Sequence, residues 1–126
     1  MNMQNTESVT EHLAQFAATA KFADIPPEAL DIARRCVLDG TAVMLAGSIE
    51  PCAAIIRTYV GNVGGEAEAG IVGTDGMRAP AQLAALANGV AGHALDWDDT
   101  AMSLEKDRSV LLHPTMQPLC ACFAVG

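Results

Sequence analysis

The stretch PAQLAALANGVAGHALD at residues 80–96 decides the fold. Pro80 suits the first turn of a helix. Apart from Gln82, Asn88 and His93, nearly all the residues that follow it are Ala, Leu, Val or Gly on every side of that helix. A helix that is apolar all round is typically buried, and its Ala and Gly residues let neighbouring backbones approach closely. The stretch therefore predicts a central helix surrounded by other helices.

Helix start and stop signals divide the preceding sequence into three more helices. These signals are the capping box Ser8-Val9-Thr10-Glu11, the pair Pro26-Pro27 with Ala46-Gly47 at the far end, and Pro51 with Gly61 and Gly64-Gly65. Apolar residues recur at helical spacing in each segment. The expected inner stripes are Leu30, Ala33, Val37, Leu38, Thr41, Met44 and Leu45 in the second helix, and Cys52, Ile55, Ile56, Tyr59 and Val60 in the third.

Residues 66–77 are the one stretch whose pattern is non-helical. Residues 69–73 favour a short extended piece, and Thr74-Asp75-Gly76 is typical of a turn. A charged loop is expected at 103–109, and His113-Pro114 predicts a last helix start. With 126 residues there is room for one domain, and we predict an all-α fold over residues 1–126.

Composition and charge exclude several classes of protein. Hydrophobic residues make up 51% of the chain, which excludes a disordered protein. A formal net charge of −8 excludes a nucleic-acid binder and argues against an anionic membrane surface as partner. No uncharged run reads as a transmembrane helix. The four cysteines form neither a metal-binding motif nor a disulfide framework, which favours reduced thiols in a cytoplasmic protein.

The densest polar cluster is His93-Ala94-Leu95-Asp96-Trp97-Asp98-Asp99-Thr100. Its three carboxylates follow the end of the central helix and oppose the helix dipole, at a cost of about 0.3–1 kcal/mol each. A cation, a catalytic role or the capping of the next segment would compensate. The plainer alternatives stay open: Asp98 and Asp99 are solvated or cap a turn, and His93 is a hydrogen-bonded core histidine.

His113-Pro114-Thr115 is the second polar feature. A histidine just before a helix start lies beside free amide hydrogens, where an anionic substrate group is favourable. An imidazole pKa near 6.5 also suits proton transfer. The alternative is an ordinary helix entry. The third histidine, His12, lies on the polar part of the first helix and is expected to be solvated.

Taken together, Ala87-Asn88-Gly89, the His93–Thr100 string and His113-Pro114-Thr115 resemble the MmgE/PrpD family. That family includes 2-methylcitrate dehydratase, cis-aconitate decarboxylase and iminodisuccinate epimerase. Asp39-Gly40-Thr41 and the stretch 73–80 agree with it. Members are longer, with a large helical domain and a smaller α+β domain. The resemblance implies that this chain is the first part of the helical domain, truncated at its C-terminus.

The resemblance also implies a function: a lyase that acts on small polycarboxylates by acid/base elimination, without a cofactor or metal. His113 would be the acid/base group, and Asp96 and Thr100 would shape the substrate pocket. A homodimer is implied for the full-length protein. Two departures from the family are Ala101-Met102, where many relatives carry a histidine soon after the threonine, and the long loop between Thr100 and His113.

Two other functions compete with this one. The chain could be a non-catalytic helical assembly module that pairs with another chain. Alternatively, Asp96, Asp98 and Asp99 could hold Mg²⁺, although enzymes of that kind need a second acidic motif, which the sequence lacks. The sequence stops at Val125-Gly126 within an apolar segment. We therefore expect the isolated chain to be an inactive fragment that self-associates.

Overall fold

The computed structural model describes residues 8–105 and 108–126. These residues form five α-helices, one short 3₁₀ helix and two separate two-stranded antiparallel sheets. The chain divides into two compact units, with the boundary between Ile32 and Ala33. The prediction of an all-α domain with few short strands is confirmed.

The first unit contains helix α1 (Val9–Thr19), the 3₁₀ helix Phe22–Asp24 and the start of helix α2 (Pro27–Gly47). The capping box is confirmed. The Ser8 hydroxyl accepts a hydrogen bond from the Glu11 amide at 3.2 Å, and the Glu11 carboxylate accepts one from the Ser8 amide at 2.9 Å. These bonds favour the ionised carboxylate and lower the pKa of Glu11. No residue of α1 is buried.

The second unit contains the rest of α2 and helices α3 (Pro51–Val63), α4 (Ala81–His93) and α5 (Met116–Val125). The ends of α2 and α3 agree with the prediction, and Gly64 after α3 has a φ of 67°. Helix α4 ends at His93 rather than near Asp96, because Asp96 has a φ of 55° and cannot continue a right-handed helix. Helix α5 begins at Met116, slightly later than His113-Pro114 suggests.

The extended piece and turn predicted within residues 66–77 correspond to a small hairpin of β1 (Ala69–Gly70) and β2 (Arg78–Ala79). The expectation of a charged loop at 103–109 is wrong. Strands β3 (Ala101–Glu105) and β4 (Arg108–Leu112) pair there as an antiparallel hairpin. Residues 106 and 107, which join them, lie outside the described residues. The pairing escapes prediction because no Asn-Gly, Asp-Gly or Gly-Gly pair, the usual sequence signal of a short hairpin, stands between the two strands.

Helix α4 lies at the centre of the second unit. Its buried residues are Ala84, Ala87, Asn88, Ala91 and Gly92. One group of buried apolar side chains joins α3, the β1–β2 hairpin and α4, and another joins α2 and α5 around Met44 and Met116. A Cβ atom on Gly47 of α2 would collide with the carbonyl oxygen of Ala91, so these backbones touch. The predicted central helix is confirmed, although Leu86 on its outer side is 45% exposed.

The predicted inner stripes of α2 and α3 are mostly wrong. Met44 and Val60 are buried, but Leu38 is 73% exposed and Ile55 is 71% exposed. Half of the buried positions of these helices are instead occupied by small residues, namely Gly40, Gly47 and Ala53. Close contact between helix backbones needs small side chains, and this requirement outweighs the position of the larger apolar ones.

Within the described residues, no single helix is both long and apolar enough to cross a membrane. Helices α2 and α3 together satisfy the length and composition requirement, but they are bent by 87° with respect to each other.

Candidate active site

The candidate site lies where the chain leaves α4 and returns to begin α5. Asp96 adopts the left-handed conformation, which Asp tolerates better than most residues because its short polar side chain bonds locally. Two residues later, Asp98 is buried, with a side chain only 1% exposed. A buried carboxylate needs polar or charged partners, since desolvation otherwise strongly penalises its ionised form.

The partners of Asp98 are two imidazoles. Its Oδ1 lies 2.9 Å from Nδ1 of His93 in a hydrogen bond, and its Oδ2 lies 3.2 Å from Nδ1 of His113. The second contact is within ion-pair distance but misaligned for a hydrogen bond, and neither atom has another hydrogen-bond partner among the described residues. The two rings meet edge to face, with centroids 4.7 Å apart. One carboxylate thus joins the end of α4 to the segment that precedes α5.

Asp98 also favours the cationic form of His93. The hydrogen bond from the imidazole to Asp98 and the negative charge of Asp98 raise the pKa of His93, and the charge of Asp96 adds to this. The His93 side chain is 55% exposed, so burial opposes the effect only weakly. A larger share of His93 is therefore cationic near neutral pH than for a free histidine.

Two of the three site residues named from the sequence lie together. Nε2 of His113 is 3.9 Å from Oδ1 of Asp96, and the side chains are 20% and 78% exposed respectively. Thr100 is exposed just before β3 and makes none of the hydrogen bonds found among the described residues. The structure thus brings His113 and Asp96 together, whereas no hydrogen bond among the described residues joins Thr100 to them.

Asp99 has a different role from its neighbour. Its carboxylate accepts hydrogen bonds from the backbone amide of Thr115 at 3.1 Å and from the Thr115 hydroxyl at 2.6 Å. Thr115 is the N-cap residue of α5, where backbone amides lack helical partners. Of the alternatives left open by the sequence, capping therefore applies to Asp99, while Asp98 neither caps a helix nor faces solvent.

Sequence reasoning did not single out Asp98 and His93 as partners of His113. A usable signal was present, because His93 and Asp98 are five residues apart across a helix end and a turn at Asp96 can bring them together. His93 is hydrogen-bonded, as the plainer alternative held, but it is not a core residue: its side chain is more than half exposed.

The residue types in this cluster could also ligate a metal ion. Ligand atoms of His93, Asp96, Asp98 and His113 all lie within 4.8 Å of one another. Tetrahedral ligands 2.0–2.1 Å from a zinc ion would be about 3.3 Å apart. The 2.9 Å contact between His93 and Asp98 is instead a hydrogen-bond distance. Asp99, the third residue of the alternative Mg²⁺ site at Asp96, Asp98 and Asp99, is not part of this group and bonds to Thr115 instead.

An open groove of about 440 Å³ lies beside the cluster, between α4 and α5. Its lining includes Leu86, Val90, Met116 and Cys120, and among the three histidines only His93 reaches it. Burial raises the pKa of the Cys120 thiol, which keeps it protonated. The groove is therefore apolar, and an anionic substrate would find its charged contacts at the histidine cluster.

A family model now adds to this geometry. The model of the MmgE/PrpD N-terminal domain matches residues 11–125. The chain belongs to the MmgE/PrpD family. The match includes both histidines of the cluster and all of α2 to α4, and it confirms the placement in the N-terminal domain of the family. No curated protein and no solved structure matches the chain.

Proposed function

We propose that this MmgE/PrpD domain carries the proton-transfer histidine of a lyase that acts on small polycarboxylates. His113 is the acid/base group, and Asp96 and Thr100 shape the pocket. The observation that carries the proposal is the contact set of His113. Its Nδ1 lies 3.2 Å from the buried carboxylate of Asp98, and its Nε2 lies 3.9 Å from the exposed carboxylate of Asp96.

The chemistry requires one proton to be removed and one to be delivered. In a dehydration, a base takes the proton on the carbon next to a carboxylate, the carbon–oxygen bond breaks, and the departing hydroxyl receives a proton to leave as water. The electron pair of the broken carbon–hydrogen bond becomes the new double bond. An imidazole suits both proton transfers because its pKa lies near neutral pH.

The charge of the substrate has to be matched as well. The chain carries a formal net charge of −8, and Asp96 and Asp98 lie within the cluster itself. His93 counters this, because its raised pKa favours the cation and its exposed ring lies beside His113. A carboxylate group of the substrate can therefore pair with His93 while another part of the molecule reaches His113.

Steady-state kinetics with a hydroxy-tricarboxylate substrate test the proposal. The proposal includes that these 126 residues are part of a longer lyase and are inactive alone, so the chain and the whole product of its gene are assayed in parallel. In the active preparation, His113→Ala should lower kcat by about 10²–10⁴-fold, the usual contribution of general acid/base catalysis.

The controls separate chemistry from folding. Asp99→Asn changes a neighbouring carboxylate that only caps α5, so kcat should stay close to the wild-type value. Thermal melts of both variants show whether the fold is intact. A His113→Ala variant with near-normal kcat and a normal melt would rule out the assigned role of the histidine.

A second candidate function is a helical assembly module that pairs with another chain. A groove between α3 and α4, lined by Cys52, Ile55, Ile56, Tyr59 and Val90, favours it, because the groove is almost wholly apolar. For the lyase, the proposed assembly is a homodimer of the full-length protein in the cytoplasm. Absence of turnover in every preparation, together with concentration-dependent association in light scattering, would favour the module over the lyase.

A further inference from the structure

We infer that Asp98 is a positioning residue, whose buried carboxylate holds His113 by Nδ1 and so presents Nε2 of that ring to the substrate. The inference rests on the proposed function, since it assigns the group that orients the proton-transfer histidine. The family resemblance assigns no role to Asp98, whereas the contacts of its two carboxylate oxygens indicate one.

Burial makes Asp98 suited to this task. Its side chain is 1% exposed, whereas that of Asp96 is 78% exposed. Hydrogen bonds and charge interactions are stronger where water is excluded, so a buried carboxylate orients an imidazole better than an exposed one. Its Oδ1 is already occupied by His93, and its Oδ2 has no hydrogen-bond partner among the described residues, although Nδ1 of His113 lies 3.2 Å away.

The consequence for His113 is a defined tautomer. A carboxylate oxygen can only accept, so the imidazole nitrogen facing it must carry the proton. In the neutral ring, Nε2 is then the unprotonated nitrogen and can act as the base.

Few titratable groups contact His113 within the part of the chain that the structure describes. They are Asp98, Asp96 and the ring of His93. Helices α4 and α5 contribute no Lys, Arg, Asp or Glu of their own. Asp98 and Asp96 are therefore the carboxylates within ion-pair distance of this ring among the described residues.

Nitrogen-15 NMR of the histidine side chains tests the inference on the 126-residue chain, and needs no turnover. In the wild-type chain, neutral His113 should carry its proton on Nδ1. In Asp98→Asn the side-chain size is kept but one accepting oxygen becomes a donor, so His113 should shift towards the tautomer protonated on Nε2. Asp98→Glu, which keeps the carboxylate, should retain part of the wild-type tautomer. Asp99→Asn is the matched control and should leave it unchanged.

The same variants are then assayed for turnover in the active preparation. Asp98→Asn should lower kcat by about 10–100-fold, the usual effect of losing a group that orients a reactive one. The alkaline limb of the kcat/KM profile should move to lower pH, because the His93 cation that pairs with the substrate loses the carboxylate that raises its pKa. Asp98→Glu should recover part of kcat. A purely structural role would alter the melting temperature without moving the pH profile.

The outcomes distinguish this inference from the proposed function. A wild-type His113 protonated on Nε2, or a tautomer unchanged in Asp98→Asn, would overturn the inference whatever the turnover. If Asp98→Asn does not fold, the tautomer of His113 in the wild-type spectrum is sufficient to test the inference. Stoichiometric zinc binding that replaces the Nδ1 protons of both rings would also overturn it. A tautomer as expected with no turnover in any preparation would remove the proposed function only.

Discussion

Asn88 and Asp98 are both buried polar residues of the second unit, but they contact different kinds of partner and so differ in role. Taken as whole residues, backbone included, Asn88 is 1% exposed and Asp98 is 4% exposed. The Asn88 carbonyl accepts from the Val72 amide at 2.8 Å, and its amide group donates to the Gly70 carbonyl at 3.1 Å. Those partners are backbone groups that cannot titrate. The partners of Asp98 are imidazoles, which can.

The difference teaches that burial alone does not mark a functional residue. Asn88 satisfies two backbone groups next to the β1–β2 hairpin and so fastens that hairpin to α4. Asp98 meets groups whose charge changes near neutral pH. Changes on the Asn88 side should therefore alter stability alone, and changes on the Asp98 side should alter protonation and turnover.

The largest expected effect is on the Asn88 side. Asn88→Ala removes both hydrogen bonds and leaves the Val72 amide and the Gly70 carbonyl without their partner. The free energy of unfolding should fall by about 2–5 kcal/mol, since each unsatisfied buried group costs about 1–3 kcal/mol. Urea denaturation followed by circular dichroism measures it.

The control for that prediction is Gln82→Ala, an exposed polar residue on the same helix, with an expected change within about 0.5 kcal/mol. The His113 tautomer should be the same in folded Asn88→Ala as in the wild type. An Asn88→Ala variant as stable as Gln82→Ala would break the contrast between the two buried side chains.

The next largest effect is expected for Asp96→Asn, which changes the histidine cluster that contains Asp98. Asn adopts the left-handed conformation as readily as Asp, so the turn should persist. The substitution removes the negative charge that lies 3.9 Å from Nε2 of His113. We expect kcat to fall by about 10–100-fold, which corresponds in free energy to the loss of one hydrogen bond to a charged group. Asp75→Asn, at another exposed turn, is the control. Equal kcat in the two variants would remove Asp96 from the site.

What the sequence could predict follows from the distance over which each interaction acts. The capping box at Ser8, the start of α3 at Pro51 and the end of α2 at Gly47 depend on neighbouring residues, and all three are confirmed. The β3–β4 hairpin was missed because its pairing depends on contacts across the strands rather than on a turn motif. The predicted inner stripes of α2 and α3 are mostly exposed in the structure, because periodicity does not say which face of a helix its neighbours cover.

For the candidate site, the sequence names individual residues but not the contacts between them. Residue types and the family resemblance led to His113 and Asp96, which the structure brings together. The separate roles of Asp98 and Asp99 depend on partners 15 or 16 residues away in sequence. Spacing within the Asp-Trp-Asp-Asp string cannot reveal which carboxylate is buried, because Asp96 takes a left-handed conformation that breaks the helical spacing.

A smaller effect is expected for Asp99→Asn. An amide keeps one acceptor for Thr115 but turns the second oxygen into a donor, so the cap of α5 weakens by about 1 kcal/mol. Thr115→Val, which removes the hydroxyl, should lose a similar amount. The double variant should lose less than the sum, because both changes break the same contact. Strict additivity in urea denaturation would mean that the two side chains do not interact.

The smallest expected effect is the pH dependence of stability caused by His93. Its pKa in the folded chain is raised above the ordinary value of 6.5, mainly by Asp98. A group with a raised folded pKa binds its proton more tightly in the native state, so it stabilises the fold fully below about pH 6.5. That contribution is lost as the pH rises through the folded pKa. The exposed ring is screened by water and salt, which keeps the effect small.

Comparison with His93→Gln isolates this contribution, because glutamine is similar in length and does not titrate. The melting temperature of the wild-type chain relative to His93→Gln should be highest below about pH 6.5 and should decline as the pH rises above it. Added salt should reduce the difference, since it screens the charge interaction with Asp98 and Asp96. A difference that grows with rising pH would mean that His93 is held neutral in the folded chain, and that Asp98 does not stabilise its cation.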